Sequence, residues 1–80
     1  MNTQKVYENK SYSIEFITLT KKILNKDRKI QIFFVTNKES KLESIVVPHN
    51  LIEDMCITEV KNTGKLSHTL AKELLQSFHN

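Results

Sequence analysis

The stretch Tyr12–Leu24, YSIEFITLTKKIL, decides the fold of this chain. Tyr12, Ile14 and Phe16 alternate as a half-buried strand does, and then Ile17 and Leu19 fall out of that phase. Phe16, Leu19 and Ile23 recur at intervals of three and four, as on the face of a helix. The β-branched residues Ile14, Ile17, Thr18, Thr20 and Ile23 favour a strand, because their χ1 restriction is penalised in helices. A strand here calls for a bulge near Phe16 to absorb the change of phase. The segment stands open between the two states, and the fold family turns on which one it adopts.

Outward from it, residues 29–36 (KIQIFFVT) are the clearest strand. Ile30, Ile32 and Phe34 line one face, while Phe33 and Val35 make the other face apolar too. Asn37-Lys38-Glu39-Ser40 has the length of a hairpin loop, and residues 41–47 return antiparallel until Pro48, which has no N–H to give to a ladder. Asn50 with Glu53 reads as a capping box opening a short helix, with Leu51, Ile52, Met55 and Cys56 on one side. Ile57–Val60 alternates as a brief strand, and Lys61-Asn62-Thr63-Gly64 turns the chain. The last segment is a helix: Leu66, Leu70, Ala71, Leu74, Leu75 and Phe78 form a stripe at the helical period, with Asn62 or Thr63 as cap. Residues 1–10 are polar and read as a frayed end, or an edge strand at most. The expected fold is α+β, one domain over residues 11–80. In it a small three-stranded antiparallel sheet carries the C-terminal helix on one face, in the order α-β-β-β-α or β-β-β-α-α.

Composition narrows the class. Eighty residues, 39% hydrophobic and 26% charged, lie in the globular range. With Cys56 as the one cysteine no internal disulfide forms, which suits a reducing, cytoplasmic setting. No apolar run approaches membrane-spanning length, and the polar start is unlike a signal peptide. The net charge of +3 hides an asymmetry: residues 1–41 carry +5 and residues 42–80 carry −2. The densest cluster is Lys21, Lys22, Lys26, Arg28 and Lys29, interrupted by Asp27. Such a cluster either decorates a solvated turn or holds a phosphate backbone by counterion release.

Familiar catalytic and ligand spacings are missing. Gly64 stands alone, so a glycine-rich phosphate loop is excluded. Cys56, His49, His68 and His79 lack the pairing of a zinc site, and no metal or other cofactor is expected. Glu53-Asp54 reads as negative charge in the first turn of a helix. Cys56 and His49 satisfy only the crudest requirement for a thiolate nucleophile, and Cys56 lies on an apolar stripe where it acts as a small hydrophobe.

The run Gly64-Lys65-Leu66-Ser67-His68-Thr69-Leu70-Ala71-Lys72 resembles the start of the last helix in double-stranded RNA-binding domains. Ser67, Ala71 and Lys72 match the family's Ser-Lys-Lys-x-Ala-Lys pattern in register. His68 and Thr69 replace the two lysines that touch phosphates in the family, and the 37–41 loop lacks its Gly-Pro-His. The resemblance implies an α-β-β-β-α domain contacting RNA backbone through Lys72, with Lys38 and Lys41 as further cations. Val46-Val47-Pro48-His49 and Gly64-x-Leu66 are also similar to the C-terminal half of small toxin ribonucleases of the HicA type. Their catalytic histidine is replaced here by the run Asp27-Arg28-Lys29-Ile30, so no nuclease activity is expected.

Two functional readings follow. In the first, a non-catalytic module contacts structured or double-stranded RNA through Lys38, Lys41, Lys65, His68 and Lys72, supported by Lys21, Lys22, Lys26, Arg28 and Lys29. In the second, a protein-interaction module, such as an inhibitor, adaptor or homodimerising subunit, uses a second apolar sheet face made of Phe33, Val35, Ile45 and Val47.

Overall fold

The computed structural model describes residues 2–77. It is an α+β fold in which a four-stranded antiparallel meander precedes two helices. The strands are β1 (Asn2–Glu8), β2 (Tyr12–Ile23), β3 (Lys26–Asn37) and β4 (Glu43–Val46), and they lie side by side in chain order. The helices are α1 (Leu51–Thr63) and α2 (His68–Gln76). Of the two expected orders, β-β-β-α-α is the one present, preceded by one further strand.

The deciding stretch is a strand along its whole length. Its register with β3 runs unbroken from Tyr12↔Asn37 to Ile23↔Lys26, so β2 contains no bulge. The phase change at Phe16 and Ile17 has another cause: both faces of the sheet are apolar, and consecutive residues serve opposite faces. The irregularity lies in the neighbouring strand, between Lys5 and Tyr7 of β1. It lets Val6 turn into the core, where it is 3% exposed. The polar N-terminal segment is therefore an ordered edge strand, not a frayed end. Its rim is occupied by the connection between the helices. The Leu66 N–H donates to the Val6 carbonyl at 2.9 Å, and Gln4 Nε2 donates to the Gly64 carbonyl at 2.6 Å. Such cover blunts an edge that would otherwise pair with another chain.

One core lies between a single face of the sheet and the two helices. It joins Val6, Ile14, Phe16, Phe33, Val35 and Val46 to Cys56, Val60, Leu66, Ala71, Leu74 and Leu75. Phe16 and Phe33 meet at its centre, with ring centroids 5.5 Å apart and planes tilted by 58°. This corrects the assignment of the sheet's faces. Phe33 and Val35 lie under the helices and are not a second, accessible face; Ile32, Phe34 and Ile45 occupy the opposite side. The reason is Glu15, which alternation places with Ile17 and Phe34. Helices packed there would strip water from an ionised carboxylate, whereas the Ile14–Phe16–Phe33–Val35 side carries no charge in those rows.

Local signals set the helices. Asn50 caps α1, its Oδ1 accepting from the Glu53 N–H at 2.8 Å. Glu53 folds back to accept from the His49 N–H at 2.9 Å, so the box closes one residue earlier than its usual form. Gly64 ends the helix with φ of +82°, donating its N–H to the Val60 carbonyl. Ile57–Val60 is consequently helical rather than a strand: Cys56 and Val60, four apart, are buried on the same side of α1. The expected stripe of the last helix docks as read over Leu66–Leu75, although its cap is Ser67, not Asn62 or Thr63. Phe78 of that stripe lies outside the described residues, as does His79.

Candidate nucleic-acid interface

β2 and β3 are three times as long as β4, and the excess projects. β1 follows β2 only as far as Thr18, and β4 follows β3 only to Phe33. From the Leu19↔Ile30 pair to Ile23↔Lys26 the two strands have no lateral neighbour among the described residues. Five rows at about 3.4 Å give an arm of roughly 15 Å, in a molecule whose longest extent is 42 Å. Every residue from Thr20 to Lys29 is exposed.

The turn at the tip is made by Leu24 and Asn25, with φ of 51° and 63°. Two consecutive positive φ values identify a two-residue hairpin of the primed type, whose twist matches that of its strands. Asn tolerates this conformation; Leu does not do so readily, and Leu24 buries nothing in return, being 91% exposed. The absence of glycine is why the hairpin's tight turn was not legible in the residues.

On this arm stand Lys21, Lys22, Lys26, Arg28 and Lys29 against Asp27 alone, a local charge of +4 in a chain of +3 overall. Register sorts them. Lys21 lies directly across from Arg28, and Lys22 across from Asp27. Alternation then puts Lys21, Lys26 and Arg28 on one side of the ribbon and Lys22, Asp27 and Lys29 on the other. Like charges in one cross-strand pair repel. No ion pair to a carboxylate relieves any of the five cations among the described residues. A water-exposed ribbon with this pattern offers an anion a row of cations free of carboxylate partners among the described residues.

The other expected contacts are dispersed. Lys38 and Lys41 sit in the β3–β4 turn, at the far end of β3 from the arm. Lys38 is held by Glu8 at 2.7 Å, and Lys5 adds a second contact to that carboxylate at 3.3 Å. The Lys38 and then the Lys5 ammonium hold the Glu8 carboxyl below its ordinary range. His68 is hydrogen-bonded through Nδ1 to the Tyr7 hydroxyl at 2.8 Å, and Asn9 Nδ2 donates to that same oxygen at 3.4 Å. Lys65 borders β1 beside Tyr7, and Lys72 is exposed on α2. The structure thus does not gather these residues with the arm, and the arm is where the charge is concentrated.

The thiol is not brought to a site. Cys56 is fully buried, its Sγ directed at the Leu70 carbonyl at 3.8 Å. Burial, and then the carboxylates of Glu59 and Glu53, push its pKa up to about 11, which opposes the thiolate a nucleophile needs. His49 turns elsewhere, its Nδ1 lying 3.0 Å from the Val47 carbonyl and 3.1 Å from Glu53 Oε1. Among the described residues no three His, Cys, Asp or Glu side chains converge as metal ligands, and no helix is long and apolar enough to cross a membrane.

No family model matches the chain, and neither a curated protein nor a solved structure does so.

Proposed function

We propose that this chain is a non-catalytic nucleic-acid-binding module of a reducing, intracellular compartment, and that it grips the backbone of structured or double-stranded RNA with the β2–β3 arm. The carrying observation is the arm itself: a +4 ribbon, exposed from Thr20 to Lys29, whose cations make no ion pair with a carboxylate among the described residues. Without the arm the rest of the chain would carry −1, so long-range attraction to phosphate is concentrated there. The wide, shallow minor groove of A-form RNA exposes backbone that a narrow ribbon can lie across. Lys38, Lys41, Lys65, His68 and Lys72 are secondary in this reading, because they are spread over the remaining surface.

Fluorescence anisotropy with a labelled 20-base-pair RNA duplex tests it. Binding should weaken steeply with salt. Changing Lys21, Lys22, Arg28 and Lys29 to Gln should flatten the log–log salt slope by about one unit per lost phosphate contact. Lys38→Gln with Lys41→Gln should change it little. Equal binding by the arm variant, or no binding by the parent at low salt, overturns the reading. Because the major groove of B-form DNA also admits a two-stranded ribbon, tighter binding to a DNA duplex of matched sequence would overturn the choice of RNA.

A further inference from the structure

The face of the sheet away from the helices is apolar and uncovered by any element among the described residues. It runs in rows: Glu8–Ser13–Thr36–Glu43, then Lys5–Glu15–Phe34–Ile45, Thr3–Ile17–Ile32, Leu19–Ile30, and on the arm Lys21–Arg28 and Ile23–Lys26. Ile17 and Ile32 at the middle are each 8% exposed yet stand outside the core under the helices, while Ile45 at the rim is 61% exposed. We propose that a second copy of this chain covers this face, in a twofold dimer whose axis passes across the strands between the Ile17–Ile32 and Leu19–Ile30 rows. This inference does not rest on the RNA reading.

The charge order selects both the occupant and the axis. Beside the Lys5–Glu8 pair, acids free of an ion pair among the described residues stand at one end of the face (Glu15, Glu43) and cations at the other (Lys21, Arg28), with apolar rows between. Among the described residues none of these four is in an ion pair, and Lys5, which lies opposite Glu15 in β1, is taken by Glu8. Two twofold arrangements bring identical sheets face to face. An axis along the strands stacks each row on its own copy, setting Lys21 and Arg28 of both chains against one another. An axis across the strands reverses the row order. Leu19–Ile30 of one copy then meets Ile17–Ile32 of the other, and Lys21–Arg28 meets the Glu15–Phe34–Ile45 row, with Glu43 one row beyond. The second arrangement pairs opposite charge at both ends and apolar rows in the middle, as an isologous interface requires. Lys22 and Lys29 lie on the reverse side of the ribbon and stay open in this dimer.

Sedimentation equilibrium of the full chain without RNA tests the proposal. The mass should rise with concentration from 9.4 kDa to twice that value. Arg28→Glu and Glu43→Lys, both at exposed positions, should each weaken the dimer by about tenfold or more, since each contact occurs twice. Mixed in equal amounts, the two variants should recover parental association, because a heterodimer restores an opposite-charge pair at both ends. Circular dichroism confirms that each variant is folded. A monomer at millimolar concentration, a dimer indifferent to both substitutions, a mixture that fails to recover, or a larger assembly would each overturn it.

Discussion

Phe33 and Phe34 are neighbours in one strand, chemically identical, and divided by the sheet into two different roles. Phe33 is fully buried against Phe16 beneath the helices; Phe34 is half-buried on the open side across from Glu15. The same division runs through Phe16 and Ile17 in β2. One face is closed by helices and has no charge in its central rows. The other has equal aliphatic content but is bracketed by carboxylates and ammonium groups. Apolar content therefore does not decide which face becomes the core. The position of the charged Lys5–Glu15 pair among the apolar rows does.

The sharpest way to break that comparison is to truncate each ring in turn. Phe33→Ala should cost about 3–5 kcal/mol, enough to unfold much of so small a domain, whereas Phe34→Ala should cost under about 1.5 kcal/mol. Urea denaturation followed by circular dichroism measures both. Similar losses would show that the open face is as tightly packed as the closed one.

A smaller effect comes from the thiol on the closed side. Because burial raises the Cys56 pKa to about 11, the unfolded chain releases the thiol proton first as pH climbs. The associated stability is whole below about pH 9 and is lost progressively as pH rises toward 11. Across that window the parent should lose up to about 2–3 kcal/mol more than Cys56→Ala, compared by thermal melts at each pH. Parallel pH profiles would place the thiol in a wetter environment than its full burial indicates.

The smallest effect belongs to the arm, where no described element covers either face from Thr20 to Lys29. Lys21→Glu converts the repulsive pair with Arg28 into an attractive one and should raise stability by about 0.2–1 kcal/mol while weakening RNA binding. Leu24→Gly should be neutral or stabilising by a similar amount, since the turn needs positive φ and Leu24 has no packing to lose. A loss above about 1 kcal/mol for either would mean that the arm is packed against something.

The residues themselves announced the elements whose causes are local. The Asn50–Glu53 cap, the alternation of residues 29–36 and the Leu66–Leu75 stripe are each read from patterns within a few turns of chain. The basic cluster was visible too, because charge needs no fold to be counted. What stayed ambiguous was every choice that depends on a distant partner. Residues 12–23 satisfy both periods when both sheet faces are apolar, and only pairing with β3 along all twelve residues makes them a strand. Ile57–Val60 alternates like a strand but is enclosed by a helix with a good cap at either end.

Composition, the cap that opens α1, the apolar stripe of α2 and the concentration of cations between Lys21 and Lys29 were determined by sequence alone, since each follows from short-range capping, periodicity or charge. Tertiary structure decided the rest. It turned Val6 inward through a bulge, sent Phe33 rather than Phe34 beneath the helices, and carried the basic cluster out on an arm away from Lys38 and Lys41. Those outcomes depend on strand partners and on the unfavourable burial of Glu15, and both are set by residues far apart in the chain.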